Sequence, residues 1–445
     1  MSSIPAPSPA TTNTPERGSW YPWYVTAVLM VAYTFSFLDR KIVDLMIGPI
    51  RRDLGISDHE FGLLVGAAFG LFYTLMGLPL GWLADRYPRK RIIAIGIAAW
   101  SVMTAAGGLA KNFWQLFLAR MGVGVGEATL SPSTYSMLAD SFDKERLPRA
   151  MSLYTTGLFI GAGLALIVGG QVISHVENMP PVTLPLVGQV FSWQLVFIIV
   201  GMPGLLVALW VLTLTEPTRK GKTEKVPFIE LFRFMGQHRL MFIAFFIGAG
   251  CYSVLGYADS WYPELFIRTW GWDPAQAGRI NGLSSLIAGP LGLLFAGWYA
   301  GHMMKQGRSD ACLRLTAYGA VGIAVPAMLM PLMPNQWAMA AMLFPFKFFV
   351  GFPPVLIPSA IQMIAPNRLR GQLGALFLFG VGIIGVTGGP ILPPLFTDFV
   401  FKNDAALPYS LALSAAIVAP LAFGLLWLGL GQFRTALKEA EQWYK

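Results

Sequence analysis

The chain carries the stretch GWLADRYPRKR at residues 81–91. An apolar segment, residues 60–84, precedes this stretch, and a second apolar segment, residues 91–110, follows it. Each segment approaches or exceeds the roughly 20 predominantly apolar residues that a helix needs to cross a bilayer. The basic stretch between them is therefore predicted to be a short loop at one membrane surface, joining two antiparallel membrane helices.

The composition extends this interpretation to the whole chain. Of its 445 residues, 55% are hydrophobic and only 12% are charged, whereas a soluble domain carries about 25% charged residues. Its 48 glycines and 32 prolines are spread through the apolar segments, as is common in membrane helices. Cys251 and Cys312 lie far apart in the sequence and predict neither a disulfide framework nor a metal site.

Twelve segments are long and apolar enough to be membrane helices. They are residues 22–47, 60–84, 91–110, 113–139, 150–174, 193–214, 239–268, 277–304, 311–332, 337–364, 371–397 and 407–431. The only sizeable polar connection follows the sixth segment, which predicts an all-α membrane protein of two six-helix halves.

These segments give the expected domain organisation. The halves are residues 22–214 and 239–431, and residues 215–238 link them. Residues 1–21, rich in Ser, Thr and Pro, are expected to form a disordered tail rather than a signal peptide. Residues 432–445 are expected to form a C-terminal tail.

The distribution of basic residues predicts the orientation. Of the 32 Lys and Arg residues, 22 fall on the side of the N-terminus, six on the opposite side and four inside the segments. Cytoplasmic loops of membrane proteins carry an excess of Lys and Arg, so both termini are predicted to be cytoplasmic. The same asymmetry explains the net charge of +9 without a nucleic-acid partner.

The stretch at 81–91 resembles the loop signature of the Major Facilitator Superfamily, with Pro88 where the family usually has glycine. Gly81 permits close approach of two helices, and Asp85 can pair with an arginine and face the positive end of another helix. A breakable cytoplasmic gate is therefore expected here. Its candidate residues are Gly81, Asp85, Arg86, Arg89 and Arg91. The alternative is a solvated loop that only follows the charge rule.

Three further stretches resemble the spinster-like branch of that superfamily. They are FLDR at 37–40, ARMGVGVGEA at 119–128 and PNRLRG at 366–371. The anion:cation symporter branch shares features of the first two stretches. The first resemblance implies lysolipid or sphingoid substrates, and the second implies an organic anion.

Four charged residues inside the first and fourth segments are candidates for proton coupling. A charge at the centre of a membrane helix costs several kcal/mol, so each needs a reason to be there. Arg120 and Glu127 are two helical turns apart on one helix face, about 10 Å along the axis. We expect Asp39 to carry the proton, Arg120 to be its partner and to bind substrate, Glu127 to be a second acid, and Arg40 to act as an outer gate or counter-charge. The alternative is a static ion-pair network.

Lys347 is the candidate that bears on the substrate. It lies about 15 Å into the tenth segment, within the aromatic-rich stretch at 344–349. From this depth its ammonium group reaches a membrane surface with difficulty. We expect it to bind an anionic group of the substrate. The alternatives are an interhelical pair with an acid such as Asp259, or a packing role.

Together these features predict a proton-coupled transporter of an amphipathic organic anion, an aromatic or other carboxylate, that works by alternating access. A lysolipid or sphingoid transporter is the alternative, and a non-transporting membrane sensor is an alternative of another class. An enzyme is not expected, because no nucleophile–base pair or metal-ligand spacing is present. The expected partners are the inner-membrane bilayer, a small-molecule substrate and protons, without a cofactor, and the chain is expected to act as a monomer.

Overall fold

The computed structural model describes residues 20–143, 146–177, 182–184, 188–219, 228–366 and 369–442. Twelve long helices dominate these residues, as the sequence predicts. They are α1 (Tyr21–Leu45), α2 (Asp58–Ala84), α3 (Arg89–Gly107), α4 (Phe113–Glu127 and Leu130–Ser141), α5 (Leu147–Glu177), α6 (Ser192–Leu212), α7 (Arg239–Trp270), α8 (Pro274–Lys305), α9 (Ala311–Leu332), α10 (Gln336–Ile364), α11 (Gln372–Phe401) and α12 (Leu407–Gln442).

Ten of the twelve helices are long and apolar enough by themselves to cross a membrane. The two exceptions have identifiable causes. Helix α3 has only 19 residues and begins with three basic ones. Helix α4 is interrupted between Glu127 and Leu130 and contains the buried charges Arg120 and Glu127. Both are nevertheless helices in the predicted places, and the all-α membrane fold is confirmed.

The connections add structure that the hydropathy pattern did not predict. A two-stranded antiparallel hairpin, β1 (Val182–Leu184) and β2 (Gly188–Val190), lies between α5 and α6. A short helix, Ile47–Leu54, joins α1 to α2, and the linker between the halves contains the helix Phe228–Gln237. Helix α12 runs on to Gln442, well past its predicted end at residue 431. Residues 1–19 of the predicted N-terminal tail lie outside the described residues.

Side-chain caps mark the starts of four membrane helices. The Ser57 hydroxyl accepts a hydrogen bond from the Glu60 amide before α2, at 3.1 Å. Asn112, Asp273 and Asn335 accept amide hydrogen bonds in the same way before α4, α8 and α10. Such caps satisfy amide groups that have no partner within the helix.

All four helices start at the same end of the bundle, which we call the far face. The opposite end, where α1 begins, is the terminal face.

The two halves pack tightly toward the far face. A Cβ atom added at Gly66 of α2 would lie 2.4 Å from the carbonyl oxygen of Thr387 in α11. A Cβ atom added at Gly278 of α8 would lie 2.1 Å from the carbonyl oxygen of Leu166 in α5. Only glycine permits such close backbone approach between helices. These two contacts therefore join the N-terminal half to the C-terminal half.

Ion pairs strengthen the same closure. The Asp58 carboxylate lies 3.0 Å from an Arg51 nitrogen in its own half and 2.7 Å from an Arg268 nitrogen in the other half. Arg51 also lies 2.9 Å from Asp404, which precedes α12. Since Asp58 is fully buried, the interhalf pair that it forms is shielded from solvent screening.

Toward the terminal face the glycines of the same two helices are less tightly packed. Gly77 of α2 and Gly374 of α11 lie nearer this face than Gly66 and Thr387, and a Cβ atom at either position would meet no atom within 4 Å. Between these levels α2 and α11 still touch, since a Cβ atom added at Gly382 of α11 would lie 2.4 Å from the Thr74 hydroxyl oxygen of α2. The contacts at backbone distance described above therefore lie toward the far face, which is closed.

Replacement of Gly66 by alanine should open the far face. The added methyl group would overlap the Thr387 carbonyl, and a backbone atom cannot move away without separating α2 from α11. Pulsed electron paramagnetic resonance between spin labels at Arg52 and Ala405, both exposed far-face positions, should report a longer distance in Gly66→Ala than in the parent protein. Gly77→Ala on the same helix is the matched control and should leave the distance unchanged. Equal distances in all three proteins would contradict the glycine contact.

Candidate functional site

Glu127 is the centre of a charged cluster inside the N-terminal half. Its Oε2 atom lies 2.5 Å from the Arg40 Nε atom and accepts a hydrogen bond from the Ser36 hydroxyl at 2.6 Å. The Glu127 residue is 1% exposed, so the ion pair lies within the protein. Helix α1 supplies Ser36 and Arg40, and α4 supplies Glu127 at the end of its first part.

Aromatic rings surround the Arg40 side of this ion pair. The Arg40 guanidinium carbon lies 4.7 Å from the ring centre of Phe37, 4.8 Å from that of Phe69 and 4.3 Å from that of Tyr73. Cation–π attraction of this kind is worth about 2 kcal/mol or more where the cation is desolvated. The rings therefore hold the guanidinium group in place beside Glu127.

Asp39 and Arg120 lie in the same cluster, and each is 2% exposed. The Thr104 hydroxyl donates to Asp39 Oδ2 at 3.4 Å. None of the three Arg120 guanidinium nitrogens has a hydrogen-bond partner among the described residues. Arg120 is nevertheless close enough to Asp39 and Glu127 to interact with both electrostatically, and its guanidinium carbon is 5.1 Å from the Phe69 ring centre.

The structure thus brings the four predicted coupling residues together but pairs them differently from the prediction. Glu127 pairs with Arg40, and no ion pair joins Asp39 to Arg120 within the part of the chain that the structure describes. Residue spacing places Arg120 and Glu127 on one face of α4. It does not determine how closely α1 approaches α4, and that approach decides the pairing.

A second cluster connects the two halves. Lys347 of α10 lies 2.5 Å from Asp259 Oδ1, and Lys41 of α1 lies 3.2 Å from Asp259 Oδ2. Lys41 also lies 2.9 Å from Asp44. The four side chains form a row of alternating charge, Asp44–Lys41–Asp259–Lys347, in which Asp259 bridges a cation of each half.

Sequence reasoning found only part of this row of four charges. Lys347 is buried at 7% exposure, and its pair with Asp259 is the interhelical pair that the sequence left open as an alternative. Lys41 and Asp44 were missed as partners. The available signal was their position: both are charged residues near the far-face end of the first apolar segment.

Among the five candidate gate residues, Arg89 rather than Asp85 holds the loop at 81–91. Asp85, Arg86 and Arg91 are exposed, and Asp85 forms no ion pair with any described residue. Arg89 is fully buried and pairs with Asp140 at the end of α4 and, at 3.0 Å, with Glu216 after α6.

The other gate residues make local contacts. The guanidinium group of Arg86 lies over the Trp82 ring at 3.6 Å. A Cβ atom at Gly81 would lie 3.7 Å from Pro132 of α4, in the same half. The five residues are therefore at the terminal face, but none of these contacts crosses between the halves. A gate made by Asp85 remains a prediction.

Three acidic residues cluster at the far face. Carboxylate oxygens of Asp58, Asp398 and Asp404 lie within 4.8 Å of one another. However, Arg51 and Arg268 already neutralise Asp58, and Arg51 also pairs with Asp404. The arrangement therefore fits an arginine–carboxylate network that closes the far face.

Both buried clusters combine two cations with two carboxylates. The first contains Asp39, Arg40, Arg120 and Glu127. The second contains Asp44, Lys41, Asp259 and Lys347. Each is formally neutral when all its groups are ionised, which keeps the cost of burying the charges low. An additional anion would leave either cluster with one excess negative charge, and a proton on a carboxylate would restore neutrality.

Comparison with known proteins places this geometry in context. The family model of the Major Facilitator Superfamily matches residues 29–390. An MFS-type efflux pump of Mycolicibacterium smegmatis is 24% identical over 98% of this chain and 99% of its own length. A D-galactonate transporter of Escherichia coli is 25% identical over 91% of this chain and 95% of its own length.

A solved structure shares the fold along nearly the whole chain. It is the crystal structure of a bacterial homologue of the human lysosomal transporter spinster, in an inward-facing and unoccupied conformation. The two proteins are 25% identical in sequence. The match covers 96% of this chain and 99% of the solved chain, with a TM-score of 0.77.

Proposed function

This chain belongs to the Major Facilitator Superfamily, and on that premise we propose that it is a proton-coupled transporter of an amphipathic organic anion, an aromatic or other carboxylate. The observation that carries the proposal is Arg120, a buried arginine whose three guanidinium nitrogens have no hydrogen-bond partner among the described residues. A buried guanidinium group without partners is costly. A substrate carboxylate would supply the missing hydrogen bonds in the bidentate geometry that arginine favours.

Charge balance connects this substrate class to protons. The Arg120 cluster is neutral before substrate arrives, so a bound carboxylate introduces one uncompensated negative charge into a poorly solvated site. Protonation of Asp39 would remove that charge. Asp39 suits this role better than Glu127, because Glu127 is already held by Arg40 and Ser36, whereas Asp39 forms no ion pair with any described residue and accepts a long, 3.4 Å bond from Thr104.

Transport would proceed by alternating access, with the terminal face on the cytoplasmic side of the cell's inner membrane. The excess of Lys and Arg at this face supports the orientation. In this orientation, opening of the far face to the outside would require the Asp58–Arg268 pair to break. We rank a carboxylate ahead of a lipid as the substrate because the sequence likeness to a D-galactonate transporter accords with a carboxylate.

A lipid substrate is the second candidate. The likeness to a bacterial spinster homologue and the shared stretches at 37–40 and 119–128 favour it. The buried cations distinguish a carboxylate from one kind of lipid. A carboxylate needs its anionic group to be bound by Arg120 or Lys347, whereas a sphingoid base brings a cation that these residues would repel. A lysolipid, whose phosphate group is anionic, would be attracted by them as a carboxylate is.

Replacement of Asp39 by asparagine should uncouple transport from protons. The amide keeps the shape of the side chain but cannot take up a proton at the pH of the assay. In proteoliposomes, Asp39→Asn should lose accumulation driven by a pH gradient and keep exchange of labelled substrate across the membrane. Asp143→Asn, at an exposed position, is the control and should behave like the parent protein. Unchanged accumulation in Asp39→Asn would exclude Asp39 as the proton carrier.

Replacement of Lys347 by methionine should weaken anionic ligands selectively. Loss of a charge-assisted hydrogen bond costs about 1.5–3 kcal/mol, or about 10- to 150-fold in affinity. Binding of a carboxylate ligand and of its neutral amide should therefore be measured for both proteins. We expect the carboxylate to lose affinity in this range and the amide to lose little.

Two variants complete this test. Lys347→Arg should keep part of the affinity, because the charge is retained, and Lys438→Met should have no effect, because Lys438 is exposed on the last part of α12. Equal losses for carboxylate and amide in Lys347→Met would assign Lys347 a structural role and favour the lipid candidate.

A further inference from the structure

We propose that Asp259 occupies the position of the substrate carboxylate on Lys347, and that substrate binds there by displacing it. The inference rests on the proposed function, since it names the group that a carboxylate substrate must replace. Asp259 thereby becomes a specificity-determining residue: the site is already shaped for a carboxylate, in contact with the ammonium group of Lys347 at 2.5 Å.

The order of the charges in the second cluster decides which ion pair can exchange. In the row Asp44–Lys41–Asp259–Lys347, the two inner residues, Lys41 and Asp259, each have two partners of opposite charge. Lys347 is an end member, and Asp259 is its only ion-pair partner among the described residues. If the Lys347–Asp259 pair breaks and Lys347 binds a substrate carboxylate instead, each of the four charged groups in the row still has a partner.

The other two ion pairs in the row cannot exchange without losing an essential contact. If the Lys41–Asp259 pair broke, the interhalf link between α1 and α7 would be lost. If Lys41 let go of Asp44, that buried carboxylate would have no cation, because Lys41 is its only ion-pair partner in the described part of the chain. Breaking a buried pair in this way leaves an uncompensated buried charge and is strongly destabilising. Exchange at Lys347 is therefore the step of lowest cost.

This exchange leaves the closure of the far face intact. Asp259 keeps its 3.2 Å contact with Lys41, so α1 and α7 remain joined while the substrate binds. The side chains of Lys347 and Asp259 are 8% and 9% exposed, so the pair that must exchange is buried. A carboxylate that reaches Lys347 has a cation to meet and an internal competitor to replace.

The competitor also sets selectivity. Asp259 is tethered beside Lys347 and therefore acts at a high effective concentration. An anion must offset the loss of that contact, which weak or poorly fitting anions cannot do. A neutral molecule of the same shape gains nothing from Lys347 and must leave the internal pair in place.

Rescue by acetate tests the proposal without knowledge of the natural substrate. Asp259→Ala removes the internal carboxylate and leaves space beside Lys347 for a small external one. Acetate should raise the thermal unfolding temperature of the detergent-solubilised Asp259→Ala protein, because a ligand that binds only the folded state stabilises it. The apparent affinity of acetate for Asp259→Ala should be about 10-fold or more above its affinity for the parent protein, in which Asp259 competes.

Two controls make the result specific. Acetamide, which has the same shape without the charge, should not stabilise Asp259→Ala. Acetate should not stabilise the double variant Asp259→Ala/Lys347→Met, which lacks the cation. If Asp259→Ala does not survive purification in chloride, recovery of monodisperse protein from acetate buffer becomes the readout, again compared with the double variant.

The outcomes separate this inference from the proposed function. Preferential stabilisation of Asp259→Ala by acetate supports displacement. No preference over the parent protein, or equal stabilisation of the double variant, overturns it. The proposed function fails instead if Lys347→Met and an Arg120→Met variant both bind carboxylate ligands as the parent protein does. A carboxylate loss in Lys347→Met without acetate rescue would therefore leave the function standing and reject Asp259 as the displaced group.

Discussion

The cost of an uncompensated charge in a poorly solvated interior constrains this protein more than any other interaction. Eight charged side chains lie in its two buried clusters, and each cluster contains equal numbers of cations and carboxylates. Neutrality makes burial affordable. It also means that neither cluster can accept an anion alone, so the same constraint that stabilises the resting protein makes a proton the natural companion of an anionic substrate.

The closure of the far face depends on two kinds of contact that act together. Glycines bring α2 against α11 and α5 against α8 at backbone distance, and the buried carboxylate of Asp58 joins Arg51 and Arg268 across the halves. Packing of this kind has discrete arrangements rather than a continuous range. A closed far face is what alternating access requires of one of its end states.

Sequence reasoning succeeded where the physics is local. Apolar segment length located all twelve helices, and the seven-residue spacing of Arg120 and Glu127 placed both on the buried face of α4. It was less successful where the answer depends on how helices approach one another. The pairing of Glu127 with Arg40, the bridge from Asp259 to Lys41 and the pairs of Arg89 join residues far apart in the chain.

The gate loop and the hairpin illustrate the same limit. The loop signature drew attention to Asp85, but the side chain that anchors this loop is Arg89, because two acids at the ends of α4 and α6 lie beside it. The hairpin between α5 and α6 consists of two three-residue strands, too short to produce an alternating pattern. In both cases the tertiary arrangement supplies information that hydropathy and motif spacing do not contain.

The central claim is that an organic anion and a proton are carried together through a neutral site. The most direct measurement is accumulation of a transported carboxylate by proteoliposomes under a pH gradient at zero membrane potential, compared with accumulation under a membrane potential at equal pH. A neutral complex of one monoanion and one proton moves no net charge, so the pH gradient alone should drive accumulation and the potential alone should not. Accumulation that follows the potential and ignores the pH gradient would contradict the account.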